Sequence, residues 1–236
     1  MKRIVVLGAG FGGLTIASEL GGKAELTLID RNSHFSMGFS MQWVLAGRRK
    51  PEEGQQPYTS LKTNGTKFVQ DSIIAIDTAN KKVKTKKHTF DYDYLVVALG
   101  AELVPELVSG QSEGAHNLCD LQSFMALKKK VEMIKEGTIV IAVSSTPFKC
   151  PPMPYEYCFL LDDILRKRGT RDKVRIIMTT PEPQPMPVAG KIVGDQVRAI
   201  LAEKGIEYLP QHKPKLIDPK KHKIVYENGF ELSYDI

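Results

Sequence analysis

A short apolar run, Ile4-Val5-Val6-Leu7, leads directly into Gly8-Ala9-Gly10-Phe11-Gly12-Gly13, and this junction restricts the fold more than any other feature of the chain. Gly8, Gly10 and Gly13 form G-x-G-x-x-G after a strand and before a helix. Each glycine has a mechanical reason: the first permits a tight turn, the second lets a pyrophosphate approach the backbone, and the third lets helix and strand pack closely. The helix N-terminus then offers free N–H groups and a partial positive charge to phosphates. The helix is expected over residues 12–20, stopped by Gly21-Gly22. A second strand, 25–29, ends at Asp30, whose carboxylate is placed to accept both ribose hydroxyls and to repel a 2′-phosphate. The pattern predicts a βαβ unit holding a dinucleotide. Its candidate contacts are Gly8, Ala9, Gly10, Phe11, Gly12, Gly13 and Asp30, with Arg31 next to the acid and Ile73 further on.

After loop and helix over 32–66, the stretches 67–76 and 81–90 read as strands of a β-meander, and 94–98 as a buried strand closed by Ala98-Leu99-Gly100. Residues 101–116 read as a linker, and a helix is expected over 121–134. The pattern then restarts: strand 138–143, helix 154–168, strand 174–178, helix 190–204 and Gly205. An internal repeat supports two related units. Ile76-Asp77, a lysine-rich turn and Phe90-Asp91-Tyr92-Asp93 recur about 140 residues later as Ile217-Asp218, Lys220-Lys221-His222-Lys223 and Phe230 to Asp235. The first copy runs on into Tyr94–Gly100, whereas the second stops at Ile236, so the sequence is expected to be an N-terminal portion of a longer protein. The fold class is α/β: two Rossmann-like dinucleotide-binding units with β-meanders, the chain ending before the return to the first unit. The boundaries are 1–107 for the first unit and 108–236 for the second, incomplete one.

The second unit lacks the glycines. Its first strand is followed by Ser144-Ser145-Thr146-Pro147-Phe148-Lys149-Cys150-Pro151-Pro152. Prolines remove N–H donors and fix φ, so this loop is not built to cradle a pyrophosphate. The expectation is a unit that has lost nicotinamide binding. Cys150 precedes a helix, and a helix N-terminus favours the thiolate, with Lys149 adding to this if it points the same way. The alternative is an inert buried thiol. Cys158, among Tyr157, Phe159 and Leu160, reads as core-facing. Three cysteines are too few for a disulfide scaffold, and their spacing fits no zinc site, so no metal is expected.

The order of strands and meander resembles the pyridine nucleotide–disulfide oxidoreductase superfamily, in which a first unit binds FAD and a second of the same design is inserted. Ala98-Leu99-Gly100 looks like that superfamily's Ala-Thr-Gly turn beside FAD, and Leu99 departs from it. Cys150-Pro151-Pro152-Met153-Pro154-Tyr155-Glu156 is similar to a segment of flavocytochrome c sulfide dehydrogenase and sulfide:quinone oxidoreductase. Trp43-Val44 resembles a Pro-Trp-Val segment of the same family, and Asn117-Leu118-Cys119 lies where many of its quinone reductases have another cysteine close to the flavin. The resemblance implies FAD as cofactor, sulfide or a related thiol as substrate, and a quinone or cytochrome as acceptor. It implies a flavin-side or persulfide-bearing role for Cys150, whose disulfide partner comes from later in the family's chain. Cys119 is either a flavin-edge cysteine or a helix-entry residue without chemistry. Glu156 is either a general acid or base near the thiol or a solvated first-turn carboxylate. An NAD(P)H-dependent flavoprotein reductase and a truncated FAD-binding module without turnover remain as alternatives.

The net charge of +6 comes largely from lysines scattered through turns, without aromatic interleaving, so no nucleic-acid partner is expected. No apolar run nears the roughly 20 residues that span a bilayer, and the N-terminus lacks a signal-peptide pattern. A cytoplasmic protein is expected, with peripheral membrane contact only through a C-terminal part not in this sequence.

Overall fold

The computed structural model describes residues 1–38, 40–60 and 65–236. The chain divides into two units: Met1–Ser40 with Arg49–Leu103, and Met41–Arg48 with Val104–Ile236. The sequence reading draws its boundary at 107/108 and keeps 41–48 with the first unit. The loop-and-helix expectation over 32–66 includes Phe39 and residues 61–64, which lie outside the described residues.

The first unit contains β1 (Arg3–Leu7), α1 (Phe11–Leu20), β2 (Glu25–Asp30), the short hairpin β3 (His34–Ser36) and β4 (Gln55–Pro57), β5 (Lys67–Gln70), a meander β6 (Ile73–Asp77), β7 (Lys82–Thr85), β8 (Thr89–Asp91), and β9 (Tyr94–Val97). Its main sheet is parallel, in the order β5-β2-β1-β9. A parallel sheet needs both faces covered, so its strands are apolar on both sides. Val6 and Leu28 pack with Ala17 of α1, while Val5, Leu7 and Ile29 pack with Val83 and Tyr92 of the meander. A one-residue slip in register would exchange these two sets.

The stretch 67–76, read as part of the β-meander, divides between two sheets. β5 ends the parallel sheet and β6 opens the meander. Between them the buried carboxylate of Asp71 accepts N–H groups from Ser72 (2.8 Å) and Lys87 (3.0 Å), which fixes the corner.

The second unit contains α2 (Ser40–Leu45, from Met41 on), α3 (Gln111–Gly114), α4 (Leu121–Met133), β10 (Gly137–Ala142), α5 (Met153–Lys167), β11 (Val174–Thr179), α6 (Lys191–Glu203), β12 (Ile206–Leu209) and a meander β13 (Pro214–Asp218), β14 (Lys223–Tyr226), β15 (Glu231–Ser233). β10-β11-β12 is a parallel sheet. One face, with Ile139, Ile141, Ile176 and Met178, packs on Phe124, Leu127, Cys158, Leu161 and Leu165 from the helices. Ile177 faces Ile217, Ile224, Tyr226 and Leu232 of the meander. The third strand, β12, escaped the sequence reading. Its four residues carry Glu207 and Tyr208, so the run lacks an apolar signature.

The expected linker is also corrected in part. Residues 105–107 form a 3-10 turn and 111–114 form α3. Val108 is buried against Ile177 and Ile217, and the Tyr234 hydroxyl donates to the Gly114 carbonyl (2.8 Å). Its glycine and glutamate content resembles a linker because this segment packs mainly through its backbone.

The repeat is visible in detail. Lys81 and His222 both take φ near +50°, at equivalent meander turns. Lys82–Asp91 and Lys223–Glu231 ion pairs cross equivalent strand pairs at 2.7 Å. Asp93 accepts the Arg3 N–H, and Asp235 accepts the Thr138 N–H, at the start of each first strand. Two copies of one plan are therefore built by the same local interactions.

Candidate functional site

In the first unit the glycine loop joins β1 to α1 as its sequence predicts. Gly8 has φ +92°, and a Cβ there would lie 2.4 Å from the Ala98 carbonyl oxygen. A Cβ at Gly13 would lie 1.8 Å from the Gly8 carbonyl oxygen, so the third glycine is what allows α1 to sit against its own loop. A Cβ at Gly10 would meet nothing within 4 Å. This leaves open space at Gly10, which a pyrophosphate cradle requires. No side chain caps α1, and no acid occupies its first turn. Its first amides are therefore presented to the loop. The observed geometry fits a dinucleotide.

Asp30 ends β2 beside the glycine loop. Its carboxylate accepts the Ala9 N–H (2.7 Å) and the Asn32 N–H (2.8 Å), tying the strand end to the glycine loop. An ionised carboxylate has about four acceptor sites, so capacity for ribose hydroxyls remains. The sequence reading missed Tyr58. Its buried hydroxyl donates to the Ala9 carbonyl (2.8 Å), holding the loop from the other side. Burial, with the Asp30 charge adding to it, pushes the Tyr58 phenol up to about 12. No local motif points to this residue, because the contact joins positions far apart in sequence.

Ala98 is brought to the loop: its N–H donates to Leu7 (2.8 Å), and its side chain faces Gly12. Leu99 follows with its side chain 55% exposed, and Gly100 takes φ +74°. Phe11 is exposed, with its ring edge-on to Phe35. Arg31 is exposed beside Asp30. Ile73 is not brought to the loop; it begins β6 and packs with Val5, Leu7, Ile29, Val83 and Tyr92.

In the second unit the register places Val143 where the first unit has Gly8, and Thr180 where it has Asp30; the loop that follows runs over 143–152, against 8–10 in the first unit. The N-terminus of α5 is closed to phosphate as well. Pro154 has no N–H, Met153 N–H bonds to Cys150 C=O (2.9 Å), and the Tyr155 and Glu156 N–H groups both reach Pro152 C=O (3.1 Å). The first turn of α5 therefore offers no free donors of the kind a phosphate site uses.

What this loop carries instead is a thiol. Cys150 sits at φ +55°, a left-handed conformation that is unusual for a residue with a side chain, where the chain turns into α5. Its side chain is half-buried, like that of Cys119 just before α4. The Cys119 N–H donates to Asn117 Oδ1 (2.9 Å), and Asp120 caps α4 through the Ser123 N–H (2.8 Å). Burial pushes the Cys119 thiol up, the Lys149 ammonium opposes this, and Cys150 adds to it. The two thiols and Lys149 thus lie within electrostatic reach of one another. The phenol of Tyr157 is raised first by burial and then by Cys119, Glu156 and Cys150. Glu156 is exposed and accepts a hydrogen bond from Gln42 of α2 (2.6 Å). Cys158 is fully buried in the helical core.

α2 belongs to this unit because Val44 and Leu45 are buried in its core, while Trp43 stays 47% exposed. Among the described residues no helix is long and apolar enough to cross a membrane.

Comparison with known proteins agrees with this two-unit plan. Sulfide:quinone oxidoreductase of Dictyostelium discoideum mitochondria is 29% identical over 244 residues, covering 96% of this chain and 52% of that protein. The crystal structure of sulfide:quinone oxidoreductase from Aquifex aeolicus superposes with a TM-score of 0.85 at 28% identity, over 98% of this chain and 56% of that one. The type II NADH:quinone oxidoreductase of Staphylococcus haemolyticus is 26% identical over 224 residues, 88% of this chain and 56% of that protein. The chain spans about half the length of these relatives. The pyridine nucleotide-disulphide oxidoreductase family, whose members are FAD-binding enzymes, matches residues 2–236. With its fold, its glycine loop and nearly its whole length in agreement, the chain belongs to that family.

Proposed function

We propose that this chain is the flavin- and thiol-bearing portion of a sulfide dehydrogenase of the sulfide:quinone oxidoreductase type. FAD is held in the first unit by the loop Gly8–Gly13, by Asp30 and by the Ala98–Gly100 turn, with Tyr58 fixing the loop backbone. Bound there, FAD supplies a two-electron acceptor that hands its electrons on to a quinone or a cytochrome. Cys150 is the reactive thiol. Hydrosulfide attacks a disulfide that includes Cys150; the disulfide S–S bond breaks, a persulfide S–S bond forms, and a thiolate leaves carrying the electron pair. Lys149 favours the anionic species on both sides of this exchange. Cys119 is a neighbouring thiol within the same field. Glu156, fixed by Gln42, serves as an exposed proton acceptor beside the thiols. The proposed acceptor implies peripheral membrane contact made by other parts of the protein.

One observation carries the reading: at the position of a nucleotide-binding loop, the second unit has a half-buried cysteine and prolines, with its first-turn amides already bonded or absent. The test is anaerobic flavin reduction by sulfide in the full-length, FAD-loaded protein. Reduction is expected in the parent and lost in Cys150→Ser. Unchanged reduction in that variant would refute the role.

The similarity to type II NADH:quinone oxidoreductase favours a second reading, an NADH-dependent flavoprotein. Rapid bleaching of the flavin by NADH, with none by sulfide, would establish it. Tight FAD binding with neither reaction would instead mark a flavin-binding module.

A further inference from the structure

Beside the loop that follows β10, the second unit keeps an open cavity. It measures about 370 Å³ and is lined by Thr146, Pro147, Phe148, Pro151, Glu182 and Val188. Ligand pockets begin at roughly 300 Å³, so this one suits a small molecule. It lies just beyond the C-terminal ends of β10 and β11, the end of an open α/β sheet at which ligands bind. Its walls are mostly apolar, and among its lining residues one buried polar atom is unexplained; the buried hydroxyls of Tyr155 and Tyr208 nearby also lack partners among the described residues. Glu182 Oε2 is buried and has no hydrogen-bond partner among the described residues. A buried polar atom left without a partner costs about 1–3 kcal/mol, so such atoms call for a missing partner.

The backbone around Glu182 is well fixed. Its N–H donates to Thr180 Oγ1 (3.2 Å), and its carbonyl accepts from the Gln211 N–H (3.1 Å). The segment that carries it packs on α6, where a Cβ at Gly194 would come within 2.6 Å of the Pro185 carbonyl oxygen. Tyr155 and Tyr208 stand close by, their ring centroids 6.4 Å apart, and the Arg198 guanidinium lies over the Tyr208 ring at 5.6 Å. Burial raises the Glu182 carboxyl above the ordinary range.

We infer that this cavity binds a nucleoside-sized ring compound that carries hydrogen-bond donors and no negative charge. Pro147, Phe148, Pro151 and Val188 provide faces for a ring. Glu182 is the acceptor for the ligand's hydroxyl or amino donors, which supply the partner its carboxyl lacks. A phosphorylated ligand is disfavoured twice: the first-turn amides of α5 are already bonded or absent, and the Glu182 carboxyl repels it. The site therefore occupies the nucleotide position of the second unit with the phosphate half deleted. The inference is independent of the role proposed for Cys150.

The test uses the full-length protein saturated with FAD, so that the first unit's own nucleotide site is filled. Adenosine is the probe and AMP its charged counterpart, each titrated calorimetrically to about 5 mM, the weak-binding range for a small ligand. Adenosine is expected to saturate, with AMP at least about tenfold weaker. Glu182→Ala is expected to weaken adenosine about tenfold, roughly the value of one lost hydrogen bond. Val188→Trp fills the cavity mouth from a residue 79% exposed, so the fold is not taxed, and it should abolish binding. The inference is overturned if adenosine does not bind, if AMP binds as tightly, or if Val188→Trp binds adenosine like the parent. A failure here leaves sulfide reduction of the flavin untouched, so the two readings are separable.

Discussion

Gly10 and Gly13 belong to one motif but have opposite structural surroundings, and replacing each by alanine separates ligand space from packing space. A Cβ at Gly13 would sit 1.8 Å from the Gly8 carbonyl oxygen and 3.2 Å from Leu28 Cδ1. The oxygen belongs to backbone fixed by the β1–β2 register, so α1 must shift as a body. Overpacking costs about 1–3 kcal/mol, and a backbone obstruction belongs at the upper end. For a chain of this size 1 kcal/mol shifts Tm by roughly 2–4 °C, so Gly13→Ala is predicted to lower Tm by roughly 6–12 °C. Gly10 has φ −77° and ψ −162°, values that alanine adopts freely. The small loss at a helix N-cap and the gain of about 0.4–1 kcal/mol from a stiffer unfolded chain nearly cancel. The flavin-free Gly10→Ala protein should therefore melt within about 2 °C of the parent. Its methyl group, however, fills the cradle, and FAD affinity should fall on the order of 100-fold, or about 2.7 kcal/mol. Circular dichroism melting of the flavin-free protein and FAD titration by flavin fluorescence read the two effects separately. Gly10→Ala binding FAD within about threefold of the parent would refute the placement of the pyrophosphate over Gly10.

Alkylation of the native protein with iodoacetamide, followed by mass spectrometry, should label Cys119 and Cys150 while sparing Cys158, which burial holds protonated; labelling of Cys158 before unfolding would contradict its place in the core. Tyr58→Phe leaves the buried Ala9 carbonyl without its donor and should cost about 1–3 kcal/mol, with a matching loss of FAD affinity. Stability should also fall as pH rises from 10 to 12. Tyr58 and Tyr226 are each pushed up to about 12 from an ordinary 10, so the unfolded chain loses these protons first; Tyr226→Phe should remove part of that slope in Tm measured against pH. Asp162→Asn should destabilise by about 3–5 kcal/mol, because it leaves the largely buried Arg171 without its carboxylate; a loss below about 1 kcal/mol in a denaturant titration would contradict this. Burial alone would raise the Asp162 carboxyl, but hydrogen bonds from Arg166 and Arg171 outweigh it and hold it low. This contribution is therefore present above the ordinary carboxylate range and lost in acid.

How much of this could be read in advance depended on the range of each interaction. The β1–α1–β2 unit was legible because each glycine answers a constraint within a few residues of itself, and the structure shows two of those constraints as would-be clashes. The meanders were legible as a repeat because the same aspartate and lysine positions recur. The break at Asp71 was not, because it depends on an N–H from Lys87, sixteen residues away. The third strand of the second sheet was hidden by its polar residues. The segment 101–116 was mistaken for a linker because only Val108 announces its burial, and one apolar residue makes no pattern. Tyr58 and Gln42 act through contacts 49 and 114 residues distant, beyond any local motif.

The two units also show how one scaffold is turned to different chemistry. Strand order, meander register and the aspartates that close each first strand are alike in both. They differ where β1 meets α1 and where β10 meets α5. Glycine at the first junction clears space and leaves amides free, and the result is room for phosphates. At the second, Val143 stands at the position of Gly8, proline removes a donor, and Pro152 takes up two more. The same prolines that remove donors add apolar wall, and the same turn holds a thiol at φ +55°. On the function and ligand proposed above, this loop carries a nucleophile on one side and a neutral-ligand cavity on the other. The sheet beneath it need not change, because its strands are fixed by their apolar contacts rather than by the loop.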